Sequence, residues 1–136
     1  MLSRRKARIL AFQALFQWEF NKASLEQLNE FQWSSKAESL GDEDLLFSRL
    51  LVAGTLEELE QIDKLIANQS TNWELKRVNK VDLAILRISV YSLLYQKDIP
   101  ANITIDEAIE IAREYGTDES FRFVNGVLDG IRKQLV

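Results

Sequence analysis

Apolar positions recur along the chain with the period of a helix, and the pattern breaks only at short polar segments. At about 100° per residue, Ala7, Leu10, Ala11, Ala14 and Trp18 share one side of a first helix over Ser3 to Phe20. The small alanines allow a neighbour to approach closely. A shorter helix is expected from Ser24, an N-cap type, to Trp33, ahead of the polar stretch Ser34, Ser35 and Lys36. After Gly41, the acids Asp42, Glu43 and Asp44 complement a helix dipole, and Val52, Leu56, Leu59, Ile62 and Ile66 form the buried stripe of one long helix closing over Asn68 to Asn72. A short turn near Trp73 leads to a central helix, Lys80 to Gln96, that has almost no polar face. Such a helix must be surrounded by others.

Ile99-Pro100 marks a break, because the residue before proline avoids the helical region. Thr104 with Glu107 then reads as a capping box, with Ile103 and Ala108 at staple positions, so the next helix is expected to start at Thr104. Ile105, Ala108, Ile109, Ala112 and Tyr115 line its inner side, and Gly116 ends it. A last helix from Thr117 or Asp118 buries Phe121, Val124, Val127, Leu128 and Ile131, while Gly126 and Gly130 are spaced to admit a close helix crossing. One domain is expected to cover all 136 residues.

Composition narrows the chemistry. There is no cysteine and no histidine, which excludes thiolate nucleophiles, Ser-His pairs, disulfides and the usual zinc sites. Acidic pairs such as Glu57-Glu58, Asp106-Glu107 and Asp118-Glu119 sit at helix starts or on polar faces, with no glycine-rich phosphate loop and no metal-ligand spacing. A non-enzyme without cofactor or metal is therefore expected. No apolar stretch is long enough to span a bilayer, and none of signal-peptide length follows the basic start, so the expected location is the cytoplasm.

The net charge of -4 is unevenly spread. Arg4, Arg5, Lys6 and Arg8 stand in the first eighteen residues without an acid, which leaves the remainder at -8. Cations in the first turn of a helix oppose its dipole, so either they serve a phosphate ligand or they form a solvated, frayed end. Arg5, Arg8, Phe12 and Phe16 fall within about 80° on the helical wheel, away from the alanine stripe. Charge beside rings suits single-stranded RNA; the alternative is that both phenylalanines pack in the core. Four phosphate contacts would give a log-log salt slope of about -2.8. Arg87, alone among apolar neighbours, is expected to form a structural ion pair, to Asp82 or to a carboxylate on another helix, the alternative being a ligand contact. Tyr115, Glu119 and Phe123 cluster near the last helix junction, where rings flanking an acid could receive a base.

Two stretches carry a family resemblance: Arg4-Arg5-Lys6-Ala7-Arg8 running on through Ala14-Leu15-Phe16, and Val81-Asp82-Leu83-Ala84-Ile85-Leu86-Arg87 with Asp106-Glu107-Ala108-Ile109-Glu110 and Phe123-Val124-Asn125-Gly126-Val127-Leu128. In order and spacing they resemble the NusB family of transcription antitermination factors. The resemblance implies an all-α domain of about seven helices in two small bundles. It also implies binding to the boxA element of nascent ribosomal RNA together with a small-subunit ribosomal protein, NusE, and indirect contact with other Nus factors and RNA polymerase. Carried over by position, Arg4, Arg5, Lys6, Arg8, Phe16, Asp82, Tyr115, Glu119 and Phe123 are the expected RNA contacts. Phe16 stands where many relatives have tyrosine, and Leu83 where many have a basic residue. The other class considered is a helical protein-binding scaffold that binds no RNA.

Overall fold

The apolar run from Leu83 to Leu94 lies at the middle of the molecule because helices cover it on every side. A computed structural model describes residues 4–22, 27, 40–70 and 75–135. Among these, the helices are α1 (Arg5–Asn21), α2 (Asp42–Glu57), α3 (Leu59–Gln69), α4 (Lys80–Tyr95), α5 (Ala101–Tyr115) and α6 (Ser120–Gln134), with a 3-10 turn at Leu75–Arg77. The helix expected over 24–33 lies almost wholly outside the described residues, as does Trp73. The architecture is all-helical, and α4 packs against each of the other five helices. One pairing, α1 with α2, and a second, α5 with α6, flank it and share a continuous apolar core.

Asn79 starts α4 by accepting the backbone N–H of Val81 at 2.8 Å, an N-cap that the residue type announces. On α1, the stripe of Ala7, Leu10, Ala11 and Ala14 is fully enclosed, and Trp18 is half-buried. Ser48 of α2 donates to the Ala7 carbonyl at 2.8 Å, which the closeness of the two backbones permits.

Three expectations are corrected. The segment from Asp42 to Gln69 bends at Glu58 (φ -105°, ψ 19°) into two helices, because α2 faces α1 and α4 whereas α3 faces α4 and α6. Helix α5 begins at Ala101, directly after Pro100, whose carbonyl accepts from Ile103 and Thr104. Thr104 is thus buried inside the helix with its hydroxyl unpartnered, and Ile103 is exposed rather than stapled. The third concerns the glycine pair: nothing lies near Gly126, and Gly130 meets only the Gln69 side chain, so no close helix crossing uses both.

Gly116 ends α5 as expected, but for a steric reason. Its backbone is extended (φ -96°, ψ -164°), a conformation open to any residue, while a Cβ would overlap the buried Ser120 side chain. Gly116→Ala is therefore expected to cost about 1–3 kcal/mol of overpacking, read as a lower urea midpoint with unchanged helical circular dichroism.

Candidate nucleic-acid interface

The cations of the amino end are held in three different ways. Arg4, just before α1, pairs with Asp44 of α2 at 3.1 Å and lies over the Phe47 ring at 4.8 Å. Arg5 is 3.9 Å from both Glu110 and Glu114 of α5, a loose and solvent-screened arrangement. Lys6 is exposed and has no ion pair among the described residues. The first turn of α1 is thus ordered, partly neutralised by its own acids, and open to solvent at Arg5 and Lys6.

Arg8 does not join that surface. It is 3% exposed, has its guanidinium carbon 5.3 Å from the centroid of the Phe47 ring, and donates from Nη1 to Ser92 Oγ at 3.3 Å, which in turn donates to Gln96 Oε1 at 2.6 Å. Its Nε has no partner among the described residues, and burial lowers its pKa, opposed by the Glu107 charge and reinforced by that of Arg4. Phe12 is likewise core, 3% exposed and tilted against Tyr115 at 5.2 Å between centroids. The expected cationic and aromatic stripe is corrected on both points, since the side of α1 opposite the alanines is covered too. Phe16 is half-buried and meets the exposed Phe20 edge-on at 4.9 Å.

Two grooves remain open. The first, about 670 Å³, lies between the start of α1 and the end of α5 and is lined by Arg5, Lys6, Ile9, Glu110, Arg113, Glu114 and Tyr115. The second, about 560 Å³, lies where α4 begins and α6 begins; Arg77, Asn79, Asp82, Glu119, Arg122 and Phe123 are among its walls. The expected residues are therefore divided: Arg5, Lys6 and Tyr115 at one groove, Asp82, Glu119 and Phe123 at the other, with Arg4, Arg8 and Phe16 lining neither. Glu110, Arg113 and Glu114 were not expected in a site, although their i, i+3 and i+4 spacing places them together on a polar helix side.

Asp82 is the unusual group of the second groove. It is 6% exposed, and its Oδ1 has no hydrogen-bond partner among the described residues. Burial raises its pKa, and a hydrogen bond from Ser120 only partly offsets this. An acid whose folded pKa is raised costs stability as pH climbs from its unfolded value near 3.8 through the folded one. Asp82→Asn is accordingly expected to raise stability at pH 7 by about 1 kcal/mol, with the gain shrinking toward pH 4 in denaturant titrations; lower stability at pH 7 would contradict this.

Arg87 is paired, to Asp63 and Glu19 rather than Asp82. Its Nε and Nη2 donate to the two Asp63 oxygens at 2.9 and 3.0 Å, and Nη1 donates to Glu19 at 2.9 Å. Lys80 adds a further cation 3.6 Å from Glu19. This knot ties α1, α3 and α4 together.

Open grooves that combine exposed cations, acids and rings at the ends of packed helices define a helical recognition domain. Comparison with known proteins makes that class specific. Residues 5–133 match the family model described as the NusB family, and the chain belongs to that family. It is 54% identical to a transcription antitermination protein NusB of Treponema pallidum (strain Nichols) over 97% of this chain and 94% of the relative. Identity to the protein of the same description from Treponema denticola is 48%, covering 98% of both chains. The fold matches a solved structure of T. maritima NusB with a TM-score of 0.88 and 44% identity, over 98% of this chain and 92% of the other. A solved structure of antitermination factors NusB and NusE in complex with dsRNA shares the fold, with a TM-score of 0.85 at 23% identity over 96% of both chains.

Proposed function

We propose that this protein is a transcription antitermination factor that binds boxA RNA of nascent ribosomal transcripts together with the small-subunit ribosomal protein NusE, and so acts indirectly with other Nus factors on RNA polymerase. It works as a non-catalytic adaptor in the cytoplasm. The observation that carries the reading is the first groove, which Arg5 and Lys6 at an ordered helix start line together with Tyr115. Curated relatives named as antitermination proteins support it over nearly the full chain.

In this reading Arg4, Arg5 and Lys6 hold phosphates, exchanging Asp44, Glu110 and Glu114 for RNA. Both sets are weak surface pairs, so the exchange is inexpensive. Tyr115, Phe16 and Phe123 offer ring faces to unstacked bases, and Asp82 and Glu119 accept hydrogen bonds from base amino groups. Arg8 acts beneath the surface as a positioning residue that fixes Phe47 under Arg4. The acidic remainder suits a basic ribosomal protein. One acidic hollow is lined by Glu57, Glu58, Glu60, Gln61 and Lys64, with the Tyr95 hydroxyl 2.8 Å from Gln61 Oε1 and 3.0 Å from Glu58 Oε2.

Titration with a single-stranded boxA RNA, alone and with the ribosomal protein, tests this. Saturable binding that tightens when both partners are present is expected. No binding under either condition would overturn the RNA reading in favour of the protein scaffold.

A further inference from the structure

Phe121 belongs to the apolar pattern of α6, yet it is only half-buried, and arginines from two helices lie over its ring. Arg113, in the last turn of α5, has its guanidinium carbon 4.7 Å from the ring centroid. Arg122, the next residue along α6, is 5.5 Å from the same centroid. Arg113 also lines the first groove and Arg122 also lines the second, so one arginine from the wall of each groove lies over this ring, which itself lines neither.

The charges there are available. Arg122 is exposed and has no ion pair among the described residues, and Arg113 is exposed with a surface contact to Glu110 at 3.4 Å. A guanidinium stacked on a ring keeps its charge and its N–H donors, which makes it a pre-positioned phosphate ligand. Gathering two cations on one half-open ring gains little for the core, because exposed stacks of this kind are weakly stabilising.

We infer that Arg113, Phe121 and Arg122 form a bridge that joins the two grooves into one track for a single strand of RNA. The inference rests on the RNA-binding reading above and extends it to residues between the grooves. A strand reaching from Lys6 and Tyr115 to Asp82 and Phe123 passes over these two arginines. They meet consecutive phosphates, and the ring holds both guanidiniums in place.

Fluorescence titrations of the full chain with single-stranded RNA oligomers of increasing length test the bridge. The Arg113→Gln/Arg122→Gln double variant is expected to make the log-log salt slope less negative by about 1.4 for oligomers long enough to span both grooves. Phe121→Leu, which keeps apolar bulk, is expected to weaken those oligomers about tenfold with the slope unchanged, and Phe121→Tyr to restore wild-type affinity. Oligomers that fill one groove are expected to lose less. Circular dichroism and thermal melting confirm that each variant folds. Wild-type RNA binding with both variants matching its affinity and slope at every length would overturn the bridge alone. Preferential binding of an acidic peptide at these arginines would also overturn it. Failure of the wild type to bind RNA at all would instead overturn the underlying RNA reading, and the bridge with it.

Discussion

Arg87→Ala is expected to lower the unfolding free energy by about 3 kcal/mol or more, the largest stability effect of any single substitution considered for this chain. The guanidinium side chain is 6% exposed, and its removal strands Asp63 and Glu19, which are 22% and 19% exposed, without their principal cation. Replacing all three residues with apolar ones of similar volume is expected to be nearly neutral, because the desolvation cost vanishes with the charges. Acid should reveal the same knot. Burial tends to raise the Glu19 pKa, but the Arg87 hydrogen bond and charge, with Lys22 and Lys80, outweigh this and hold it below its ordinary value. Glu19 therefore contributes stability that is present above its unfolded value near 4.5 and is lost as pH falls through the lower folded value. The gap between wild type and Arg87→Ala should narrow over that acidic range in denaturant titrations. A pH-independent gap would contradict the assignment.

The second large effect concerns salt. With Arg8 withdrawn into the core, three cations of the amino end remain for phosphates, and for RNA oligomers too short to engage Arg113 and Arg122 the log-log slope is expected near -2.1, so a tenfold rise in salt weakens their binding about 130-fold. For these short oligomers the Arg4→Ala/Arg5→Ala/Lys6→Ala variant should lose nearly all of that dependence while its melting temperature changes little, since the broken pairs are exposed or only part-buried. Arg8→Ala should behave in the opposite way. It removes a 3% exposed side chain packed over Phe47 and bonded to Ser92, so stability should fall by about 1–3 kcal/mol, while the salt slope stays near -2.1. A slope that drops by a full phosphate in Arg8→Ala, with stability intact, would put its guanidinium back on the surface.

How far these features could be read from the residues differs from element to element. Helix α4 was legible because a run with almost no polar positions admits one environment, and the observed Lys80–Tyr95 differs from the expectation by one residue. Helix α1 was legible on its alanine side only. A helical wheel says which side chains share a direction, not how many directions are covered, so nothing local revealed that Arg8 and Phe12 would be enclosed as well. The Thr104 capping box failed because Pro100 supplies a start three residues earlier, and tertiary burial of Thr104 then overrode its capping preference. The bend at Glu58 was hidden because backbone hydrogen bonds run through it, from Glu58 N–H to Gly54 and from Ile62 N–H to Glu58, so the change is in which neighbours the helix faces. The partners of Arg87, 24 and 68 positions away, were beyond any local pattern.

Site residues show the same limit. Resemblance selected positions of the right chemistry, while their division between two grooves, and the arginines over Phe121 between them, required the packing of α5 against α6 and of both around α4. Asp82 illustrates the cost of such a place: a carboxylate left partly unsatisfied at the wall of a groove is unfavourable for folding and available for a ligand.

Residue-resolved NMR of the full chain titrated with single-stranded boxA RNA probes the interface most directly. Amide and side-chain shifts are expected at Arg5, Lys6, Tyr115, Glu119 and Phe123, with Arg8 responding only through Phe47 and the Glu57 to Glu60 hollow unchanged until the ribosomal protein is added. Shifts confined to that acidic hollow, or an unperturbed first turn of α1 at saturating RNA, would contradict the proposed interface.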